Sequence, residues 1–308
     1  MRTLLATRLK VILAVVFCGF FPASQFIAQT KHAPADPAYQ QSYDNWKAGL
    51  LKNRKEEWLS LAGLFWLKPG ENTFGTDPTN ALVLPKGPTK AGSFELAGTN
   101  VTAKFLPGAQ ATVDGKPAVT MKLEPDIAEN TTVIELGSLR MYVIVRGERI
   151  GIRVRDVDSP AIRAYSGAAF FPLDLNYRVT AKWIPSEGKR TVDVPNVLGD
   201  VDPTPVAGTA EFVIAGHKMQ LTDIGGDPTK ELFFVFNDLT TKTDTYPGGR
   251  FLKTGPVSNG TVVLDFNHAY NPPCAVTPYA TCPLAPKENR LVIAVPVGEK
   301  YDRAHGHH

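Results

Sequence analysis

A mainly β fold, an antiparallel β-sandwich or barrel-like sheet with one N-terminal amphipathic helix, is what this sequence predicts. Three observations carry the prediction. Ten short segments rich in β-branched and aromatic residues follow one another, each bounded by Gly, Pro, Asn or Asp. Turn chemistry stands where hairpins need it, in VDGK at 113–116, VRGER at 145–149 and IAGHK at 214–218. Ahead of them, Tyr39, Tyr43, Trp46, Leu50, Trp58 and Leu61 recur at helical spacing.

The chain opens with Arg2, Arg8 and Lys10, then an apolar run from Val11 to about Phe21, then small and polar residues. That order is the n-region, h-region and exit of a secretory signal, and the run is shorter than the roughly 20 apolar residues of a spanning helix. A signal peptide over 1–29 is therefore expected, making the protein secreted or periplasmic. Cys18 offers a second outcome, an acylated lipoprotein anchor, against which stands the bulky Phe17 ahead of it. The signal carries three of the 33 basic residues and none of the 30 acidic ones, so the mature chain is formally neutral. It has no Lys/Arg run to match a phosphate backbone, so no nucleic-acid partner is expected. No later stretch is apolar enough for a transmembrane helix. With 43% hydrophobic and 20% charged residues, the chain can build a core without disulfide staples.

Residues 30–37 read as a flexible leader. The helix is expected over about 38–60, in one run or with a single break, with Lys47, Lys52, Arg54, Lys55 and Glu56 between its aromatic positions and its stripe laid on an open sheet face. The expected strands are VTAKF, TTVIEL, LRMYVIV, IGIRVRD, YRVTAKWI, TAEFVIAG, KMQLTDI, ELFFVFND, TVVLDF and RLVIAV. VPNVLGDVDPTPVAG at 194–208 is the best candidate boundary, yet a crossing loop inside one domain reads equally well. The β segments on both sides share one character, so a single β-rich domain over 38–300 is expected, with a mobile tail at 301–308.

Chemistry is sought in two places. In RIGIRVRD, Ile150, Ile152 and Val154 alternate with Arg149, Arg153 and Arg155, so three guanidinium groups share a face, with Asp156 at the strand's end. Such a row can grip a carboxylate or phosphate through paired N–H donors; the plainer reading is a solvated outer face. The second place is LDFNHAYNPPCAVTPYATCPLAPKENRL, a long, proline-rich and polar stretch of the kind that builds sites. Gly248 and Gly249 precede Arg250 in a tight turn without the spacing of a phosphate loop. Cys274 and Cys282 admit four readings: a disulfide, favoured by export; metal ligands, for which the spacing is wide; a thiolate nucleophile with His268 or His217 as base; or two plain thiols. There is no G-x-S-x-G, H-E-x-x-H, EF-hand or G-x-G-x-x-G signature.

Four stretches, WLSLAGLFWLKPGENTFG, FNDLTTKTDTYPGGRFL, LDFNHAYNPPCA and TCPLAPKENRLVIAVPVGE, together resemble the bacterial and archaeal domain of unknown function 1684 family over roughly residues 45–300. The resemblance implies that Gly63, Glu71, Arg250, Asp265, Asn267, Tyr270, Asn271, Cys274, Cys282, Glu288 and Asn289 are family positions. It brings no activity with it. Similar proteins without export signals imply that a disulfide is not the general role of the cysteine pair.

Two functions are expected. In the first, a C-terminal loop pocket binds a small polar or anionic ligand with hydrolase-like chemistry. Asp265 or Glu288 is the general base, Arg250 and Arg155 hold the anion, and Asn267, Tyr270, Asn271 and Asn289 orient it. In the second, a non-catalytic binding or envelope-assembly module, the same side chains brace the loop.

Overall fold

In the computed structural model, residues 35–303 are described. The expected signal peptide, Cys18, the first part of the leader and the His-rich end at 304–308 lie outside them. Over the described residues the protein is mainly β, in antiparallel sheets preceded by one long helix.

That helix, Pro37–Asn53, starts where Asp36 accepts the Tyr39 N–H and Pro37 fills the first turn. It passes directly into a π turn, Arg54–Trp58. The extra residue of that turn changes the face presented, and Arg54, which a regular helix of this polarity would leave in water, is buried against Glu299.

The first half of the β region is sandwich-like. A six-stranded sheet, in the order Leu61–Trp66, Arg149–Asp156, Leu139–Arg146, Ile134–Leu136, Thr112–Val113, Lys116–Pro117, shares a core with a five-stranded one. The second sheet runs Leu82–Val83, Gly70–Gly75, Gly92–Ala97, Asn100–Phe105, Thr120–Leu123. Phe74, Phe94, Ile134, Met141, Ile152 and Val154 fill the space between them. The predicted alternation places Ile150, Ile152 and Val154 inward, leaving Arg149, Arg153 and Arg155 on the outer face. Asp156 is on the inner side of this alternation, buried and paired with Lys86 at 2.7 Å, so it does not join the arginine row.

The second half is built on a four-stranded antiparallel sheet, His217–Thr222, Gly208–Ile214, Arg178–Pro185, Thr261–Asp265. The hairpin of Phe233–Phe236 with Arg250–Lys253 packs on it through Phe234, Phe236 and Leu252. The candidate boundary at 194–208 contains most of a hairpin, Thr191–Pro195 with Val201–Pro205. RLVIAV does not form a strand. Leu291 and Leu239 N–H donate to Asn237 and Ile293 carbonyls, and the Val295 and Val297 carbonyls are taken by the Arg250 side chain. Single backbone bonds and the Arg250 side chain stand in for a neighbouring strand there, and Leu291 and Val295 are buried without a ladder while Val292 is exposed. The expected tail is anchored at its start: Tyr301 is buried, edge-on to Tyr246, and Arg303 donates to the Thr241 and Thr243 carbonyls.

A third apolar cluster joins Leu61, Val235, Phe251, Tyr270, Cys274 and Cys282, and Trp46, Leu50 and Trp58 of the helical segment pack against it. Each buried aromatic ring contributes on the order of 2 kcal/mol here. This seam brings the arginine strand, the end of the helical segment and the cysteine loop together.

Candidate functional site

The family positions of the polar stretch are mostly braces. Gly249, at φ +99°, makes the turn that delivers Arg250; a Cβ there would stand 2.9 Å from the Phe236 carbonyl oxygen. Arg250 is fully enclosed. It pairs with Asp238 at 2.6 Å and donates to the Val295 and Val297 carbonyls. Asp238 also accepts from the Thr240 N–H and hydroxyl. An anion clamp at Arg250 is therefore a correction to the sequence reading: the guanidinium is neutralised by a carboxylate of the chain itself and has no surface to offer a ligand.

The asparagines act similarly. Asn267 bonds the Asp174 N–H and carbonyl and the Asp265 carboxylate. Asn271 donates to the Lys300 carbonyl, and its N–H to Glu299. Asn289 receives the Thr222 N–H and donates to the Thr222 and Val235 carbonyls. Each replaces a missing backbone partner in an irregular segment, and none is oriented toward a ligand.

Asp265 accepts from Tyr39 OH at 2.8 Å, from the Asn267 N–H and amide, and pairs with Arg178 at 3.3 Å. His268 Nδ1 is 3.6 Å away, and its ring lies against Trp46 with centroids 4.4 Å apart. Burial holds the His268 pKa below its ordinary value, against the opposing pull of Asp265. Glu288 is a quarter exposed, with Lys287 at 3.9 Å. Asp265, Glu288 and Arg250 are not partners of one another.

The arginine row behaves differently. Arg155 pairs with Glu57 at 2.7 Å and donates to Ser60 Oγ, Arg149 pairs with Asp200 at 2.9 Å, and Arg146 with Asp126 at 2.8 Å. Arg153, only 9% exposed, has no carboxylate partner among the described residues. Its contacts with the Tyr279 carbonyl and Thr281 Oγ1 are both 3.4 Å, long for a charged donor, and its Nε has no partner. Burial pulls its pKa down, against the opposing pull of the Tyr142 hydroxyl, with Arg146 and Arg155 adding to the effect.

Arg153 and Arg155 line a cleft of about 400 Å³ together with Glu57, the partner of Arg155, and with Trp58, Phe251, Thr281 and Cys282. Two larger clefts are nearby. One, of about 640 Å³, is lined by Arg146, Arg149, Asp200 and Thr281, and both of its arginines are already paired. The other, of about 580 Å³, lies under the helix between Trp46, Trp58, His268 and Tyr270, with the Lys253–Glu231 ion pair on its lining. Charge without a counter-charge is found in the smallest of the three.

Cys274 and Cys282 are buried free thiols in contact: the Cys274 N–H donates to Cys282 Sγ at 3.2 Å. The Cys282 thiol hydrogen-bonded to it lowers the Cys274 pKa, and the same contact, with burial, pushes Cys282 up. No group of three or more His, Cys, Asp or Glu suited to a metal occurs among the described residues.

Of the residues singled out in the sequence, Arg153, Arg155 and Cys282 line the arginine cleft, while Arg149, Arg250, Asp265, Asn267, Tyr270, Asn271, Cys274, Glu288 and Asn289 do not. Sequence reasoning missed Trp58 and Thr281 as cleft walls, and Asp238 as the partner of Arg250. Only Asp238 left a trace, in NDLTT, where an Asp before a Thr pair marks a cap.

Comparison with known proteins gives the family of the chain through its second half. A model of the family described as "Protein of unknown function (DUF1684)" matches residues 163–300. A solution NMR structure of the uncharacterized protein from gene locus rrnAC0354 of Haloarcula marismortui is 34% identical over 47% of this chain and 83% of that one, with a TM-score of 0.40. No curated protein matches.

Proposed function

The chain belongs to the DUF1684 family of proteins of unknown function, and from that premise we propose that it is an exported protein that binds a small organic anion in the arginine cleft. One observation carries the reading: Arg153 is a nine-tenths-buried guanidinium on a cleft whose one lining carboxylate, Glu57, is paired with Arg155. An unpaired buried charge costs several kcal/mol, and a ligand carboxylate or phosphate, taking two parallel N–H donors, offsets that cost. Thr281 adds a hydroxyl, while Arg155 at the rim is balanced by Glu57. Trp58, Phe251 and Pro273 give the cleft an apolar side beside the polar Asn53 and Glu57, which favours an anionic head on an organic body over a bare inorganic ion. The neutral balance of the mature chain argues against nucleic acid as the ligand. Export rests on the basic and apolar order of the first 29 residues.

The hydrolytic part of the expectation has no assembly to support it, since neither Asp265 nor Glu288 lines this cleft. The bracing roles of Asn267, Asn271, Asn289 and Arg250 favour a binding module without that chemistry.

Titration calorimetry of the full chain against a panel of small organic carboxylates and phosphate esters tests the reading. At least one is expected to bind, and Arg153→Gln to weaken it about tenfold or more, as loss of a charge-assisted hydrogen-bond pair does. Absence of any binding at millimolar ligand overturns it. Export is tested separately, by the mass of protein recovered from the envelope fraction, which lacks the signal if the reading is right.

A further inference from the structure

The arginine cleft shares two walls with the cleft under the helix: Asn53, which ends the helix, and Trp58, which ends the π turn, line both. A molecule held at Arg153 therefore extends past Trp58 into the second space, of about 580 Å³. Gly49 lies on that space, in the helix interior, where glycine is less stable than alanine. Its φ is not positive, and a Cβ built on it would meet nothing within 4 Å beyond the helix itself, so neither strain nor packing accounts for it. What it does is leave the cleft open against the helix backbone. Tyr270 lines the same space, 8% exposed, and its hydroxyl makes no hydrogen bond among the described residues. Burial, with the Glu231 carboxylate nearby and Arg54 opposing, raises its pKa, so the phenol keeps its proton and offers a donor and an acceptor.

We propose that the ligand is an acidic sugar, with its carboxylate or phosphate on Arg153 and its hydroxylated ring beneath the helix, bonded to the Tyr270 hydroxyl. The acidic group rests on the anion-binding reading; the place of the ring rests on Gly49 and Tyr270. The two sides of the second cleft differ in chemistry. The helical segment supplies Trp46, Leu50 and Trp58, an apolar side, while the Phe233–Phe236 and Arg250–Lys253 hairpin brings the Lys253–Glu231 ion pair, closed at 2.7 Å and half exposed. That pair adds donors and acceptors without net charge, and the Asn53 amide adds one more of each at the junction of the clefts. A sugar ring has C–H faces and a rim of hydroxyls, so it meets both sides at once. A ring without hydroxyls would cover the Tyr270 hydroxyl and leave it unpaired, which costs affinity. A bare inorganic anion at Arg153 would leave the space at Gly49 unused.

The experiment titrates the full chain by calorimetry with glucuronate, galacturonate and glucose 6-phosphate, and with cyclohexanecarboxylate, an acid of similar size that has no hydroxyls. At least one acidic sugar is expected to bind about tenfold or more tighter than cyclohexanecarboxylate. Tyr270→Phe, which keeps the ring and its packing, is expected to remove most of that advantage while leaving cyclohexanecarboxylate unchanged. Gly49→Leu is expected to weaken the acidic sugar about tenfold or more while raising the melting temperature by about 2 °C, since leucine is the better helix former. A merely structural glycine would move both in the same direction. If cyclohexanecarboxylate binds as tightly as every acidic sugar, and Arg153→Gln weakens it, the sugar is overturned and the anion reading stands. If an acidic sugar is preferred but Arg153→Gln leaves its affinity unchanged, the anion reading fails, and with it the span across both clefts. If Gly49→Leu raises the melting temperature and leaves the acidic-sugar affinity unchanged, the ring does not lie beneath the helix and the proposal is overturned. Absence of binding by all three acidic sugars at millimolar concentration overturns it as well, whatever other acids bind.

Discussion

Arg250 and Arg153 are both buried, yet only one of them is finished. Arg250 has a carboxylate on one nitrogen and backbone carbonyls on both terminal nitrogens, and it is sealed behind Phe236 and the 291–297 segment. Arg153 has two long contacts to a carbonyl and a hydroxyl and an open cleft in front, while the Nε is without a partner in both. The two sit in the same class of environment by burial alone. What separates them is whether the chain supplies the counter-charge, and that difference divides a brace from a candidate site. Motif density points the other way: Arg250 lies among the family positions, whereas Arg153 lies in a plain alternating strand.

The largest expected effect is at the finished arginine. Arg250→Met strands the Asp238 carboxylate in the core and removes the donors that hold the Val295 and Val297 carbonyls. Breaking one side of a buried pair costs about 3–5 kcal/mol, a loss read directly from urea unfolding. Asp238→Asn, which keeps shape, should lose less, because the amide still accepts from Thr240. A loss below about 1 kcal/mol for Arg250→Met would mean that water or another group compensates the pair, and the contrast with Arg153 would collapse.

Arg153→Met sharpens the contrast by its sign. Removing a buried charge that has no counter-charge relieves a desolvation cost, so this variant is expected to be as stable as the wild type or more so, by about 1 kcal/mol, while losing the anion. Opposite signs for two arginine-to-methionine substitutions at similar burial would show that satisfaction, and not depth, sets their roles. A destabilisation matching that of Arg250→Met would instead make Arg153 a structural donor to Thr281 and Tyr279.

Much of the fold was legible because it is written locally. Alternation of Ile150, Ile152 and Val154 with arginines fixes which face of that strand is inside, and VDGK, VRGER and IAGHK fix three hairpins through turn residues at positive φ. Leu61–Trp66 and Gly70–Gly75 went unread as strands, since the first follows directly on the helical spacing and the second is half polar. RLVIAV misled because an apolar β-branched run does not by itself imply a ladder; its backbone is held by main-chain groups of Asn237 and Leu239 and by the side chains of Arg250 and Asp238, forty or more residues away. The cleft was almost illegible for the same reason. Trp58, Arg153 and Cys282 are separated by about a hundred residues each, and only the π turn after Asn53 brings Trp58 over the seam. The asparagines looked like ligand groups because polar side chains in a rigid loop read alike whether they face a ligand or a backbone.

The smallest expected effect tests whether the seam beneath the helix is held by packing or by charge. His268 sits against Trp46 and Tyr43, with Asp265 near its Nδ1. Burial lowers its pKa in the folded protein and Asp265 only partly opposes this, so the native state rejects a proton that the unfolded chain takes up near pH 6.5. Below that pH the unfolded state binds more protons, and stability falls with falling pH until the folded pKa is passed. Between pH 7 and 5.5 the wild type should therefore lose about 2 °C of melting temperature more than His268→Phe, which keeps the aromatic packing and cannot titrate. Parallel melting curves for the two proteins would show Asp265 cancelling the burial of His268, making the contact an ion pair. The helix would then rest on a charge that Asp265 supplies, as Arg250 rests on Asp238, and the seam would belong with the braces.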